Sequence, residues 1–312
     1  MKKIIAFLVC GLLLCSLIAC GSTDDSGSKL GGDEDLEIVT TSAGDTFSYE
    51  PLDSESVQIT SYRGTYVAHE VYIPEMIGNS KVVAIGKNAF YQNIFVTGVS
   101  LPSTLTTIDD YAFAGCTSLK TLQLPATLET IGEGAFYGCT SLQIVTMGDN
   151  VELIDNNAFY NCSKLDDLTL SAGLQKIGDA AFFRCSSLTE VVVPEGTLSI
   201  GKMAFYQCRS LATLTLPASL EEIGEYALRQ APDEGETNEE GEDTFVPLQV
   251  ITVEGSYADE YVKANVPDYE PKEPASTETD AEPVESETDA EPTESETDAE
   301  PAESETDAEP ET

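Results

Sequence analysis

Five cysteines stand 23 residues apart in the middle of this chain, and cysteine thiols can form disulfides, bind metals or act as nucleophiles. They are Cys116, Cys139, Cys162, Cys185 and Cys208, with Asn93 at the same position one interval earlier. A zinc site needs three or four converging ligands, but the sequence has one histidine and no C-x-x-C pair. We therefore expect neither a metal nor another cofactor.

Disulfides between these cysteines are also disfavoured by geometry. Equivalent positions of stacked repeats lie about 4.8 Å apart, which is close enough for a bridge. Their side chains point in parallel, however, and a disulfide needs side-chain vectors that converge. A position that holds either asparagine or cysteine instead favours a structural ladder that satisfies backbone groups inside a turn.

Catalytic chemistry has little support elsewhere in the sequence. His69 is the only histidine, so a multi-histidine metal site or a histidine-dependent triad is not expected. No phosphate-binding loop of the form G-x-x-x-x-G-K-[ST] is present. We expect that this protein is not an enzyme.

The cysteines belong to a repeat that also fixes seven isoleucines at the same interval: Ile85, Ile108, Ile131, Ile154, Ile177, Ile200 and Ile223. A constant period of this length indicates a stacked array. Each unit has a short alternating strand, a second extended run that a glycine closes in most copies, and an Ala-Phe pair or its equivalent at a tight turn or single helical turn. We predict a repeat solenoid, mainly β with short helical or 3-10 turns, with a parallel sheet and about seven repeats.

The segment from Leu119 to Cys139 has the pattern Leu-x-x-Leu-x-Leu-Pro-x-x-Leu-x-x-Ile-Gly-x-x-Ala-Phe-x-x-Cys. This pattern resembles the BspA-like bacterial leucine-rich repeat, and the resemblance extends over roughly residues 57–265. It implies a leucine-rich-repeat fold and a surface-exposed bacterial protein of the recognition type, often an adhesin or binding scaffold. It implies no particular ligand.

Two columns of side chains on the solenoid are candidate surfaces for a partner. One follows the phenylalanine of each repeat and holds Tyr91, Tyr137, Tyr160, Phe183 and Tyr206. Tyrosine is enriched at interfaces, which makes these the candidate partner-binding residues. The alternative is that the rings fill space between repeats, as repeat side chains usually do. The second column lies on the outward side of the sheet and is rich in threonine: Ser100, Gln123, Thr146, Thr169, Val192 and Thr215.

The N-terminus indicates secretion. Two lysines precede an apolar run from Ile4 to Ala19, which is typical of a signal peptide. The run ends in Leu17-Ile18-Ala19-Cys20, which resembles the lipobox of bacterial lipoproteins and implies lipidation of Cys20. We expect the mature protein on the extracellular face of the cell membrane, in contact with the membrane through its lipid anchor only. An ordinary cleaved signal peptide is the alternative.

The net charge of −41 is concentrated towards the C-terminus, where residues 270–312 hold eighteen acidic residues and one lysine. A charge of this sign repels phosphate backbones, so nucleic acid is not an expected partner. The tail repeats Glu-Ser-Glu-Thr-Asp-Ala-Glu-Pro and lacks core-forming residues, which predicts disorder. A solvating role is the simplest interpretation of the tail, while a glycosylated stalk, weak cation capture and docking to a basic partner stay open.

The sequence therefore predicts seven segments: a lipoprotein signal peptide at 1–19, a flexible tether at 20–35, an N-terminal β cap at 36–82, the repeats at 83–231, an acidic insertion loop at 232–247, a last strand with a capping helix at 248–266, and a disordered acidic tail at 267–312. The function that these features favour is a lipid-anchored extracellular binding scaffold or adhesin for a protein or glycan partner. The alternative is a structural or spacer protein of the bacterial envelope.

Overall fold

The computed structural model describes residues 37–229 and 246–266. The expected signal peptide, the tether, Cys20, the acidic tail and all but the last two residues of the insertion loop lie outside the described residues. The strands are β1 (Glu37–Thr40), β2 (Thr46–Pro51), β3 (Ser56–Arg63), β4 (His69–Tyr72), β5 (Met76–Ile77), β6 (Ser80–Ile85), β7 (Val96–Ser100), β8 (Thr107–Ile108), β9 (Thr121–Gln123), β10 (Thr130–Ile131), β11 (Ile144–Thr146), β12 (Leu153–Ile154), β13 (Asp167–Thr169), β14 (Lys176–Ile177), β15 (Glu190–Val192), β16 (Ser199–Ile200), β17 (Thr213–Thr215), β18 (Glu222–Ile223) and β19 (Gln249–Ile251), and the helix is α1 (Tyr257–Asn265).

Each repeat contributes one strand to each side of a parallel solenoid. The long sheet has eleven strands in the order β1-β2-β3-β6-β8-β10-β12-β14-β16-β18, with β5 paired to β6. The opposite side consists of a five-stranded sheet, β13-β11-β9-β7-β4, and a three-stranded sheet, β15-β17-β19. Ile131 pairs with Ile108 on one side and Ile154 on the other, so the register equals the 23-residue period. The prediction of a parallel repeat solenoid with about seven repeats is confirmed.

A column of phenylalanine rings runs through the core between the sheets. Its members have at most 1% of their surface exposed: Phe90, Phe113, Phe136, Phe159, Phe182 and Phe205. Successive rings are stacked with centroids 4.6 to 5.4 Å apart. Burial of each ring contributes about 1.5–3 kcal/mol, and each stacked pair adds about 0.5–1.5 kcal/mol. The column therefore ties every repeat to both of its neighbours.

The Ala-Phe segment is a tight turn rather than a helical one, because it contains residues with left-handed backbone. Positive φ angles of 52° to 60° recur at one position of successive repeats: Asn88, Tyr111, Gly134, Asn157, Ala180, Met203 and Tyr226. A right-handed helical turn does not accommodate such a residue. Backbone hydrogen bonds between repeats hold the turn instead, as where the Phe136 amide donates to the Ala158 carbonyl at 2.8 Å.

The N-terminal cap, residues 37–82, closes the first end of the solenoid. Its strands β1, β2 and β3 are joined antiparallel to one another, and β3 then pairs parallel with β6 of the first repeat. The aromatic column also continues into the cap, because the Tyr62 ring stacks on Phe90 at 4.6 Å and Phe47 lies 5.4 Å from Tyr62. The cap thus covers the end of the core with the same contacts that join the repeats.

Helix α1 packs at the other end of the repeats. Ser256 is its N-cap and accepts a hydrogen bond from the Asp259 amide at 3.2 Å. The Tyr261 hydroxyl donates to the Gly224 carbonyl at 3.1 Å, which fastens the helix to the last repeat. Across the parts of the chain that the structure describes, no helix has both the length and the apolar character needed to cross a membrane.

Within the cap, a buried polar cluster joins β2 and β3 to β4. The Asp45 carboxylate is 2% exposed and accepts a hydrogen bond from the Tyr62 hydroxyl at 2.6 Å. The same oxygen lies 2.9 Å from Nε2 of His69, whose Nδ1 lies 2.8 Å from the Val67 carbonyl oxygen. Nδ1 faces the Val67 carbonyl and Nε2 faces the Asp45 carboxylate, an arrangement that favours the doubly protonated imidazolium of His69. The contact between His69 and Asp45 holds the start of β4 against the start of β2.

The His69–Asp45 pair makes the stability of the cap depend on pH. The hydrogen bond to Asp45, followed by the bond to the Val67 carbonyl, raises the pKa of His69 above its ordinary value. The stabilisation is therefore fully present below about pH 6.5, the pKa of an unfolded histidine, and is lost as the pH rises through the folded pKa. We expect urea unfolding of the native chain to show this loss above neutral pH, and His69→Gln to remove it. Equal pH slopes for the two proteins would contradict the assignment.

Candidate partner-binding surfaces

The tyrosine column predicted from the sequence is a second aromatic stack outside the phenylalanine column. Tyr137 stacks on Tyr160 with centroids 4.6 Å apart, and Tyr160 stacks on Phe183 at 4.7 Å. Phe183 then lies 5.4 Å from Tyr206 at an interplanar angle of 19°. Tyr91 stands apart from this stack, because Ala114 occupies the intervening repeat.

Exposure falls along the column from its first member to its last. Tyr91 is 51% exposed and Tyr137 is 40% exposed, whereas Tyr206 is only 9% exposed. Tyr160 and Phe183 are half-buried. Tyr160 and Phe183 have rings stacked on both faces, whereas Tyr137 and Tyr206, at the ends of the stack, have a stacked ring on one face only. The geometry therefore gives the stack a packing role between repeats and leaves Tyr91 and the edge of Tyr137 accessible.

The cysteine ladder lies entirely inside the solenoid. All five thiols are free and have no exposed surface. Each Sγ donates to the carbonyl oxygen of a phenylalanine in the preceding repeat, as from Cys139 to Phe113 at 3.2 Å. At the head of the ladder, the Asn93 side chain accepts a hydrogen bond from the Phe95 amide at 3.1 Å. Burial raises the pKa of Cys116, Cys162 and Cys208 to about 12 and that of Cys139 and Cys185 well above the ordinary value.

The outward side of the five-stranded and three-stranded sheets, which we call the sheet face, carries two columns of side chains. The first column is Glu70, Gly98, Thr121, Ile144, Asp167, Glu190, Thr213 and Gln249. The second is Tyr72, Ser100, Gln123, Thr146, Thr169, Val192, Thr215 and Ile251. The six residues that the sequence assigned to an outward column all lie in the second of these.

A groove of about 790 Å³ lies on the N-terminal half of the sheet face. Its lining includes Gly98, Ser100, Thr121, Ile144 and Thr146, which come from three neighbouring strands. The groove surface is more apolar than polar, because Leu101, Ile144 and Met147 line it beside the hydroxyl groups. Ile144 is 39% exposed. Rigid strands that are hydrogen-bonded on both sides give the groove a preformed shape, which lowers the entropy cost of binding.

A glycine in β7, Gly98, makes room for the Glu70 side chain at the N-terminal end of the groove. A Cβ atom at Gly98 would lie 3.0 Å from Cγ of Glu70 and 3.1 Å from its Oε1. The exposed Glu70 side chain therefore lies over the glycine. Across residues 37–229 and 246–266, the Glu70 carboxylate takes part in no hydrogen bond or ion pair. A free, exposed carboxylate at the border of the groove is a place where a partner can supply the missing donor.

Sequence reasoning missed Glu70, Tyr72 and Gly98 as members of this surface. The outward column predicted from the sequence begins at Ser100, because the fixed interval of 23 residues begins there. β4 precedes β7 by 28 residues, since Tyr72 pairs with Ser100. The Ile73-Pro74 pair, which matches Leu101-Pro102, was the signal for this alignment. Aligning the two pairs would have placed Tyr72, which is 60% exposed, on the face.

The sheet face is interrupted between β13 and β15. Within the described residues, no backbone ladder joins these two strands, although β13 pairs with β11 and β15 pairs with β17. Asp167 and Glu190 occupy equivalent positions on the two strands, and neither has an ion-pair partner among the described residues. Like charges at facing positions disfavour close strand pairing.

Comparison with known proteins places these features in context. A sequence model described as the BspA type leucine rich repeat region matches residues 83–197 and 175–233, in six copies. A leucine-rich repeat protein from T. pallidum is 30% identical over 57% of this chain and 78% of its own, with a TM-score of 0.40. No significant match is found among curated proteins.

Two further solved structures share the fold. A leucine rich cell surface protein from Faecalibacterium prausnitzii A2-165 is 26% identical over 70% of this chain, with a TM-score of 0.57. The present chain spans 55% of the length of that protein. A leucine-rich repeat protein from Eubacterium ventriosum is 20% identical over 65% of this chain and 54% of its own, with a TM-score of 0.53, and supports the fold alone.

The packing role of the tyrosine stack predicts a loss of stability when its rings are removed. We expect replacement of Tyr137, Tyr160 and Tyr206 by serine to lower the free energy of unfolding by several kcal/mol, because three partly buried rings that stack between repeats are lost. Tyr91→Ser is the control and should change stability by less than about 0.5 kcal/mol, because Tyr91 lies outside the stack. Thermal unfolding of both variants measures the difference. A triple variant as stable as the control would show that the rings are surface residues.

The buried ladder predicts thiols that do not react in the folded protein. Attack on a disulfide reagent requires an accessible thiolate, and burial denies both accessibility and ionisation. We expect no reaction of Cys116, Cys139, Cys162, Cys185 and Cys208 with an aromatic disulfide reagent at pH 8, and complete reaction in denaturant. Mass spectrometry of the native protein identifies the modified residues. Rapid modification, or a disulfide between any two of the five, would contradict the ladder.

Proposed function

This chain belongs to the BspA type leucine rich repeat family, and from that premise we propose that it is a lipid-anchored scaffold on the bacterial cell surface that binds an extracellular protein partner. The similar protein from Faecalibacterium prausnitzii is described as a cell surface protein, which supports the surface setting. The repeat architecture supports the scaffold role, because stacked repeats present an extended rigid surface. Anchoring through Cys20 and a role as an adhesin rest on the sequence and are part of the proposal.

The observation that carries the proposal is the open groove on the sheet face. The tyrosine stack uses ring faces for packing, so a partner could reach mainly the exposed part of Tyr137 and, outside the stack, Tyr91. The groove instead presents outward side chains that the core does not need. Tyr72 stands beside Ser100 at its N-terminal border and is 60% exposed, which gives the surface an aromatic side chain of the kind that anchors protein interfaces.

A protein is the partner that this surface fits best, and a glycan is the second class. The groove combines hydroxyl groups, backbone and a partly exposed isoleucine, which suits a polypeptide segment with alternating polar and apolar side chains. The hydroxyl groups of Ser100, Thr121 and Thr146 would equally accept hydrogen bonds from sugar hydroxyls. A spacer protein of the envelope would need no binding groove for either class of partner.

Blocking the groove tests the binding function. The full chain would be screened against purified extracellular proteins, glycans and cell wall from the producing bacterium. We expect saturable binding to a protein that is abolished by Thr121→Trp, which fills the groove, and kept by Thr130→Trp, which places the same ring on the long sheet. Far-UV spectra and thermal unfolding check that both variants are folded. Binding to the bacterium's own wall alone, equal in both variants, would favour the spacer function.

Lipid anchoring is tested by removing the modified cysteine. We expect Cys20→Ala to release the protein into the medium or to block its processing, because the acyl chains that hold it at the membrane are absent. Fractionation of cells after a high-salt wash, followed by mass spectrometry of the N-terminal peptide, measures both outcomes. Ser22→Ala, two residues further on, serves as the control and should leave the protein in the membrane fraction. A Cys20→Ala protein that also stays membrane-bound would refute the anchor.

A further inference from the structure

We propose that the groove takes an extended polypeptide segment with a cationic side chain at each end of a short neutral centre. This inference rests on the proposed function and adds the chemistry of the partner. It follows from the distribution of charge along the first column of the sheet face. Glu70 stands at the N-terminal end of that column, Thr121 and Ile144 stand in its middle, and Asp167 follows them.

The groove contains only negative formal charge. Its lining includes two carboxylates, Glu70 and Glu75, and no lysine, arginine or histidine. Glu75 is already bound, because it accepts hydrogen bonds from the Ser103 amide at 2.9 Å and the Ser103 hydroxyl at 3.1 Å. Glu70 has no such partner among the described residues and lies over Gly98 at the groove floor. A lysine or arginine of a partner placed there would gain a charge-assisted hydrogen bond.

The second cationic position lies at the break between β13 and β15. Asp167 directly follows Ile144 in the register of the column, and Glu190 occupies the next equivalent position. Neither carboxylate has an ion pair within the described ranges, and the backbone ladder is absent between their strands. A cationic side chain that binds both carboxylates would offset their mutual repulsion.

Strand spacing fixes the length of the partner segment. β4 and β13 are the two edges of the five-stranded sheet, so four strand steps separate Glu70 from Asp167. At about 4.8 Å a step the separation is about 19 Å, which an extended chain spans in about six residue intervals. The two cationic residues of the partner are therefore six positions apart, and their side chains point to the same face. The centre of such a segment lies over Thr121 and Ile144, where a β-branched or other apolar residue would contact the exposed isoleucine.

The test uses capped heptapeptides as probes, with lysine, glutamine or glutamate at both ends of the centre Ser-Val-Ser-Val-Ser. Each is titrated into the full chain and followed through its backbone amide NMR signals, at low and at physiological ionic strength. The acidic tail attracts lysine in every variant alike, so the comparison between variants isolates the groove. Glu222→Gln is the matched control, because it removes the same charge from an exposed position on the long sheet.

We expect the lysine peptide to shift the amides of Thr121 and Thr146 and to bind more tightly than the other two. Glu70→Gln and Asp167→Asn should each weaken it by about two- to fivefold, as for partly exposed ion pairs. The double variant should multiply the two effects, because the sites are more than about 10 Å apart. Glu222→Gln should change nothing at these amides, and added salt should reduce the difference between variants.

Two outcomes would overturn the inference, and they differ in what they say about the groove. If all three peptides shift Thr121 and Thr146 equally and Thr121→Trp abolishes this, the groove binds peptides without selecting charge. The proposed function then stands and the cationic partner is wrong. If no peptide affects these amides, the groove is not the site, and both the proposed function of the groove and the cationic partner are wrong. The same conclusion follows if the lysine peptide binds elsewhere and Glu70→Gln behaves like Glu222→Gln.

Discussion

The stacking of one repeat on the next at an interval of 23 residues is the constraint on which the rest of this structure depends. A single repeat exposes its leucines, isoleucine and phenylalanine, and it has too little body to cover them. Only a neighbour in the same register covers them. Four features follow from this register: the phenylalanine column, the long sheet, the turn and the thiol ladder. In each feature, equivalent groups of adjacent repeats lie in contact.

Regular stacking of the core leaves the outward side chains free to vary, and the candidate site lies where they depart from the pattern. Gly98 makes room for the Glu70 side chain at the end of the groove, and Ile144 places an exposed apolar side chain beside hydroxyl groups. Asp167 and Glu190 put two carboxylates where the backbone ladder is interrupted. These side chains lie outside the core of the repeats, and two of them disfavour regular strand pairing. A rigid solenoid with an irregular outer face is what a binding scaffold requires.

Much of the fold could be predicted from the sequence, because the core positions repeat with few exceptions. Ile131, Phe136 and Cys139 each belong to a column that recurs at the 23-residue interval, and all three are fully buried. The left-handed backbone at Ala180 and Met203 could not be predicted, since neither side chain favours it. The amides of both residues donate hydrogen bonds to carbonyls of the next repeat, which helps to maintain it.

The candidate site was less predictable than the core. The column of Tyr137 and Tyr160 follows from the sequence, but whether its rings face solvent or each other depends on the pitch of the stack. Glu70 lies on the groove because β4 departs from the period by five residues, and the His69–Asp45 pair that fixes β4 joins residues 24 apart in an irregular cap. Contacts of this kind leave no periodic trace in a sequence.

The most direct test of this account removes one repeat with its register kept or broken. Deletion of residues 131–153 joins Thr130 to Ile154 and keeps every later side chain in place, whereas deletion of residues 131–152 shifts them all by one position. Urea unfolding and the near-UV circular dichroism of both proteins would be compared. We predict cooperative unfolding and a native aromatic spectrum for the 23-residue deletion and loss of both for the 22-residue deletion. Equal behaviour of the two proteins would contradict the claim that the 23-residue register holds the structure together.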